Sequence, residues 1–348
     1  MKVSVLGAGA IGSMLGGLIK QHSPGLDMVF IGRGVHGDAM RRSGTVRLEG
    51  PWHVYDVPIR VTSDLRELTD SDFVLFTVKS QATLEAIQSA RPYLGGAVVI
   101  SIQNGINQRQ LADHVSSQRL VVGMTATNMA VLEPGSVSLQ LNGATIVGAL
   151  PNSGAESAAE EAAKLLRRSG LRVDPHPNVL GVQYNKLAIN AMGYASALSA
   201  SNFISEAILH QPWRRLVGLP ILEECIENFE RSGIVLDRIP GVPDVHRFRR
   251  VLKMLDTPGV GGFVSWAAKS LFNRKPIVFS LYQDLLRKKT TEIEYINGEI
   301  VRLARQSGAA APANALAVEM VHELEQRGDG TFFTREQVLE RFRAVGGA

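Results

Sequence analysis

Met1-Lys-Val-Ser-Val-Leu-Gly-Ala-Gly-Ala-Ile-Gly12 opens the chain, and Ser-Met-Leu-Gly-Gly-Leu-Ile19 follows directly. Val3, Val5 and Leu6 read as a buried parallel strand that stops at Gly7. Gly7, Gly9 and Gly12 stand at GxGxxG spacing, and Met14, Leu15, Leu18 and Ile19 carry the period of a helix. Each glycine has a physical task. Gly7 allows the tight turn, Gly9 lets backbone approach a pyrophosphate, and Gly12 lets helix pack closely on strand. With Ala8, Ala10 and Ile11 they form a candidate phosphate-binding loop at a helix N-terminus, where unpaired N–H groups face an anion. Lys2 before a Gly/Ala/Leu run also has the outline of a signal peptide. Three glycines would weaken such a helix, and Met28–Ile31 supplies the second strand that the domain reading needs.

The end of that second strand bears on the cofactor. An NAD site places Asp or Glu about twenty residues past the glycines to hold the ribose 2′-hydroxyl. Here the sequence is Phe30-Ile31-Gly32-Arg33, with an arginine and no carboxylate. A planar, permanently charged guanidinium suits a 2′-phosphate, so the expectation is NADP(H). Arg41 and Arg42 could add to the local field, although a solvated helix face accounts for them as well.

A chain of 348 residues has room for two domains. Its 45% hydrophobic and 20% charged content is that of a globular protein, and no apolar run reaches the ~18 residues of a membrane span. Cys225 is the only cysteine, which excludes a disulfide framework, and the eight histidines show no metal-ligand spacing. The expected location is the cytoplasm. The net charge of +4 is dispersed, without a nucleic-acid motif, and suits a protein whose ligands are anions. The densest basic cluster, Arg247, Arg249, Arg250 and Lys253, fits a solvated helix face.

Strand-like runs recur at Val46–Leu48, Val57–Val61, Phe73–Val78, Ala97–Ile102, Leu120–Met124, Val137–Gln140 and Ala144–Val147. Helical patterns lie between several of them, at Gln81–Ala90 and Gln108–Asp113. This alternation predicts an α/β fold, a Rossmann-type domain with a mostly parallel sheet. Pro134-Gly135 and Asn142-Gly143 read as turns of antiparallel hairpin additions, and a helix (Ala155–Ser169) and short strand (Arg172–Val173) close the half. From Val179 onward only helical patterns appear: Val179–Ser199, Gln211–Ser232, Pro243–Leu255, Ser280–Gln306, Pro312–Gln326 and Arg335–Phe342. The expected domains are residues 1–176, binding NADP, and 177–348, all-helical and carrying the substrate chemistry.

Carbonyl reduction with a nicotinamide cofactor needs a proton donor for the oxygen as hydride arrives, and groups that orient the substrate. Lys186 and Asn190 lie at i and i+4, hence on one helix face; alone, this reads more readily as a surface lysine beside an asparagine. Thr291-Glu-Ile-Glu-Tyr-Ile-Asn-Gly298 alternates carboxylates with apolar residues, a pattern also expected of an amphipathic helix.

Taken in order, Gly7/Gly9/Gly12, Arg33, Val78-Lys79-Ser80, Gln103-Asn104-Gly105, Asn185-Lys186-Leu-Ala-Ile-Asn190, Ser280…Gln283-Asp284 and Thr291–Gly298 resemble the ketopantoate reductase (2-dehydropantoate 2-reductase) family over nearly the whole chain. The resemblance implies reduction of 2-dehydropantoate to D-pantoate, a step of pantothenate biosynthesis, with NADPH. It implies that Lys186 is the general acid and that Glu292 holds substrate and lysine in place. It also implies that Asn104 contacts nicotinamide and substrate, that Asn190 and Ser280 contact substrate, and that Arg33 and Lys79 favour NADP(H). A homodimer is a family-level expectation.

Two departures bear on the substrate. Tyr194 stands where the family often has a second asparagine one turn beyond Asn190, which should reshape the substrate-binding pocket. The stretch from about Ile239 to Pro276 is longer than in compact members, with Phe263-Val-Ser-Trp266 and Leu271-Phe272 reading as core, interface or lid. A different branched or aromatic 2-keto acid is therefore the rival substrate. A non-catalytic NADP-binding regulator would not need Lys186 and Glu292 together. An opine-type or 3-hydroxyacyl dehydrogenase would need a histidine motif in the second half, and none is present.

Overall fold

The computed structural model describes residues 1–241, 243–257 and 279–346. The expected lid or interface segment, with Gly259, Gly261, Gly262, Phe263–Trp266, Leu271 and Phe272, lies outside the described residues. The chain divides into two compact units: Met1–Gln183 with Ile239–Val242, and Tyr184–Arg238 with Pro243–Ala348.

In the first unit an eight-stranded sheet has the order β12-β11-β8-β7-β6-β1-β2-β5. Its strands are β1 (Lys2–Leu6), β2 (Asp27–Ile31), β5 (Arg60–Thr62), β6 (Phe73–Phe76), β7 (Val98–Ser101), β8 (Leu120–Thr125), β11 (Thr145–Ala149) and β12 (Val173–Pro175). All neighbours run parallel except β8 and β11. Alternation along the strands makes two cores. Val3, Val5, Phe30, Leu75 and Ile100 pack with α1 (Ala10–His22) and α5 (Glu156–Arg167). Leu6, Ile31, Val74, Phe76 and Val99 face α3 (Thr83–Ala90) and α4 (Gln108–Ala112).

A second sheet, β4-β3-β10-β9, was not legible as such. It holds β3 (Thr45–Glu49), β4 (Tyr55–Pro58), β9 (Asn128–Glu133) and β10 (Ser136–Leu141), and its Val46, Leu48 and Val137 join the α1 core. The expected strand Val57–Val61 is therefore two strands in different sheets, β4 pairing with β3 and β5 with β2. The hairpin across Pro134-Gly135 is present, with β9 antiparallel to β10. Asn142-Gly143 is not a hairpin turn, because β10 and β11 belong to different sheets. In β9 the apolar run Met129–Leu132 is mostly half-buried or exposed, with Leu132 and Glu133 toward solvent.

The second unit is helical among the described residues. It contains α6 from Tyr184 onward (the whole helix is Val179–Ala197), α7 (Leu219–Arg231), α8 (Val245–Met254), α9 (Ser280–Leu286), α10 (Asn297–Gln306), α11 (Pro312–Arg327) and α12 (Arg335–Gly346). Single π-type turns at Phe203–Ile208 and Arg214–Gly218 precede α7. One continuous helix Ser280–Gln306 was expected and is not present. The chain leaves the helix after Leu286, Lys288 takes a left-handed φ of 55°, and a short 3₁₀ turn at Ile293–Tyr295 leads into α10. Glu292 and Glu294 therefore lie in a link between helices rather than on a helical face. Among the described residues no helix is long and apolar enough to cross a membrane.

Candidate active site

The residues expected to form the site fall into two groups, one in each unit. In the first unit, Gly7 has a φ of 99°, and a Cβ there would stand 2.4 Å from the backbone nitrogen of Val78. A Cβ on Gly12 would meet Thr77 Oγ1 at 2.4 Å and Gly7 O at 2.5 Å, so the helix start and the end of β6 can meet only at glycine. A Cβ on Gly9 would meet nothing within 4 Å, so the backbone between the other two glycines is open to approach. Helix α1 begins at Ala10 with no side-chain cap and no acidic residue in its first turn, leaving its first N–H groups available to an anion.

The ends of β1, β2, β6 and β7 set Gly7, Arg33, Lys79 and Asn104 along one edge of the sheet, the carboxyl edge where such folds bind ligands. Arg33 is 59% exposed and lies 3.7 Å from the exposed Glu85 carboxylate, a pairing too solvated to tie up the guanidinium. Lys79 is exposed and opens the turn Ser80–Ala82. Ser80 Oγ donates to the carbonyl of Asn104 at 2.8 Å, and Asn107 Nδ2 donates to the same oxygen at 2.6 Å. Gln103 Nε2 donates to Val78 O at 2.8 Å and to Thr83 Oγ1 at 2.7 Å. The two sequence segments Val78–Ser80 and Gln103–Asn107 are thus cross-tied, which fixes the backbone that presents Asn104.

In the second unit, α6 presents Lys186, Asn190 and Tyr194 at i, i+4 and i+8, one face climbing ~6 Å per step. Leu187, Ala188, Ala191 and Met192 are buried on its other sides. Lys186 is half-buried, and burial lowers its pKa to about 8 even though the carboxylate of Glu292 favours its charge. Glu292, in the link after α9, is 5% exposed. Burial raises the Tyr194 phenol, and the charge of Glu292 raises it further, against a hydrogen bond with Ser280. That bond joins Tyr194 Oη and Ser280 Oγ at 3.1 Å. Phe279 stands edge-on to Tyr194 (6.2 Å) and to Phe203 (5.1 Å). Its ring lies so close to Gly193 that any Cβ there would overlap it at 2.1 Å. The structure thus gathers Lys186, Tyr194, Ser280 and Glu292, with Asn190 between the first two on the helix.

Sequence reasoning missed what holds α6 in place. Tyr184 Oη donates to Glu299 Oε1 at 2.8 Å, and Arg302 binds the same carboxylate at 2.6 and 2.8 Å. Asn185 uses both ends of its amide: Nδ2 donates to Pro243 O at 3.0 Å, and Oδ1 accepts from Val245 N at 3.0 Å. Further along, Asn297 Nδ2 donates to Ala191 O and to Asn314 Oδ1, and Asn314 Nδ2 donates in turn to Glu224. These partners are far apart in the chain, so no local spacing could have announced them. No group of three or more His, Cys, Asp or Glu side chains that could hold a metal ion occurs among the described residues.

Comparison with known proteins agrees over nearly the full length. Residues 3–152 match the family model described as ketopantoate reductase PanE/ApbA, and residues 178–325 match its C-terminal counterpart. A 2-dehydropantoate 2-reductase of Pyrococcus horikoshii is 28% identical over 335 residues, covering 95% of this chain and 100% of its own. The crystal structure of a PanE/ApbA family ketopantoate reductase from Ralstonia eutropha superposes with a TM-score of 0.77 at 25% identity, covering 94% of this chain and 99% of the other. A D-mandelate dehydrogenase solved with NADH and anilino(oxo)acetate shares the fold at a TM-score of 0.76 and 21% identity, covering 94% and 100%.

Proposed function

The chain belongs to the ketopantoate reductase family, and from that premise we propose that it reduces 2-dehydropantoate to D-pantoate with NADPH. The observation that carries the reading is the partnership of half-buried Lys186 with buried Glu292 on a helix anchored through Tyr184 and Asn185. The residues of the first unit suit the cofactor. The open backbone at Gly9 and the uncapped start of α1 fit a pyrophosphate, while Arg33 and Lys79 are exposed cations fit for a 2′-phosphate. Asn104 offers an amide for nicotinamide and substrate. When bound, NADPH supplies the hydride that C2 of the keto acid receives.

The remaining chemistry is assigned to the chain's own side chains. Lys186, with a pKa of about 8, is mostly charged at neutral pH and donates a proton from Nζ to the carbonyl oxygen as negative charge develops there. The lowered pKa places that donor closer to working pH than an ordinary lysine at ~10.4. Glu292 keeps the lysine charged and oriented. Asn190, Tyr194 and Ser280 bind the polar groups of the substrate; Tyr194, held as the neutral phenol, serves as donor or acceptor.

The aromatic cluster of Tyr194, Phe279 and Phe203 favours a second reading in which the substrate is a bulkier or aromatic 2-keto acid. Consumption of NADPH by purified protein with ketopantoate, 2-ketoisovalerate and phenylglyoxylate, alongside Lys186→Ala, tests both. Fast, Lys186-dependent turnover of ketopantoate supports the first reading, and preference for phenylglyoxylate supports the second. Tight NADPH binding without turnover of any keto acid would turn the assignment toward a regulatory NADP-binding protein. NADH in place of NADPH tests the cofactor, with NADPH expected to be preferred.

A further inference from the structure

Glu292 sits in a link between α9 and α10 whose own backbone bonding is a single 3₁₀ turn, with the Tyr295 N–H on Glu292 O at 3.0 Å. Two contacts join this link to α11, and a third within that helix connects them. The Thr291 N–H donates to Glu325 Oε1 at 2.7 Å. The other oxygen of that carboxylate, Oε2, lies 2.8 Å from His322 Nδ1, and His322 Nε2 lies 2.7 Å from Glu294 Oε1. The residue before Glu292 and the second residue after it are therefore both tied to α11, one through Glu325 and one through His322.

Both ring nitrogens of His322 face carboxylate oxygens. Ionised carboxylates only accept, and a neutral imidazole has a single N–H, so both bonds exist together only with the imidazolium. Burial works against that charge, and the two carboxylates outweigh it, so the ring's pKa lies above its ordinary value. Glu294 and Glu325 are the charges that act on the ring. Elsewhere on the elements packed around α11, Glu323 pairs with Arg327 and Arg341, Glu299 with Arg302, and Glu224 takes the N–H groups of Ala313 and Asn314.

We propose that His322 is a positioning residue for the reaction: as an imidazolium it binds Glu294 and Glu325 together, fixes the Thr291–Tyr295 link against α11, and thereby holds Glu292 toward Lys186. The inference rests on the reading of Lys186 and Glu292 given above. Loss of the ring proton breaks one of the two bonds and frees one side of the link, so substrate binding weakens and the support that Glu292 gives the charge of Lys186 slackens with it.

The test is the KM for the preferred keto acid from about pH 6 to about pH 9, at saturating NADPH, for wild type, His322→Gln, His322→Arg and Glu294→Gln. At the acid end His322→Gln should raise KM roughly tenfold, the loss of one charged hydrogen bond. Its KM should then stay flat with pH, while that of the wild type climbs toward it as the imidazolium is lost. His322→Arg, whose fork stays charged throughout, should keep a low KM into the alkaline range. Glu294→Gln, at an exposed position that tolerates substitution, should raise KM about threefold. The alkaline fall of kcat set by Lys186 should appear in all four, at lower pH in His322→Gln and Glu294→Gln than in wild type and His322→Arg. A wild-type KM and pH profile in His322→Gln would overturn the proposal, as would His322→Arg tracking His322→Gln. Lys186→Ala in parallel separates the two levels of inference. Undiminished turnover in it overturns the parent reading, whereas an unaltered His322→Gln in an enzyme that Lys186→Ala silences overturns only the positioning role.

Discussion

The loop Gly7–Gly12 offers a ligand its backbone, whereas the helix face Lys186–Tyr194 offers side chains. The loop works by subtraction: Gly7 and Gly12 remove the Cβ atoms that would collide with Val78 and Thr77, and Gly9 leaves the backbone between them open. All its parts lie within six consecutive residues, and the strand and helix around it are equally local. The helix face works by assembly. Lys186 acquires its lowered pKa from burial, countered by Glu292 more than a hundred residues away, and Tyr194 finds its partner in Ser280. One arrangement tolerates no added atoms; the other tolerates no lost partner.

The largest test of this contrast is Lys186→Ala, which should lower kcat for keto-acid reduction by about two to four orders of magnitude with NADPH binding intact. Equal loss of cofactor binding, by fluorescence titration, would erase the distinction between the two groups. Gly12→Val should do the reverse. Its side chain collides with Thr77 Oγ1 and Gly7 O, so NADPH affinity should fall by about a hundredfold or more, or the first unit should fail to fold. Arg33→Ala should raise KM for NADPH by roughly ten- to fiftyfold and leave that for NADH nearly unchanged. A uniform effect on both cofactors would remove Arg33 from the 2′-phosphate.

The pH dependence sharpens the comparison further. With charged Lys186 as the proposed acid, kcat for reduction should be full below its pKa and fall about tenfold per pH unit well above 8, while oxidation of the hydroxy acid should rise over the same range. An alkaline limb displaced to 10 or beyond would show that burial does not act on this lysine. The smallest effect is expected from Tyr184→Phe. It removes the bond to Glu299 but leaves Arg302 on that carboxylate, and should cost about 1–2 kcal/mol, a few degrees in Tm.

The same contrast explains what could be read from the sequence. The first parallel strand and the glycine turn into α1 rest on short-range patterns, Val3–Leu6 followed by Gly7, Gly9 and Gly12, and the structure has them where those patterns place them. The four-stranded second sheet escaped notice because Thr45–Glu49 pairs with Ser136–Leu141, far along the chain, and because Asn128–Glu133 is half-exposed. Lys186, Asn190 and Glu292 were found through resemblance to a family, since i and i+4 spacing alone fits any surface helix. The alternating carboxylates of Thr291–Gly298 suggested a helix, yet tertiary bonds to Glu325 and His322 hold the first half of that run outside one. Anchors such as Tyr184–Glu299 and Asn185–Val245 carry no local signal at all.

The ring of Phe279 against Gly193 has a consequence for redesign. Enlarging residue 193 is closed as a route to a smaller pocket, because the first added carbon would already overlap the ring. Trimming is the open direction: Phe279→Ala or Phe279→Leu would vacate volume directly beside Tyr194, without touching Lys186, Glu292 or any residue of the phosphate loop. Space beside Tyr194 can thus be gained at a single residue, directly ahead of the serine that Tyr194 binds.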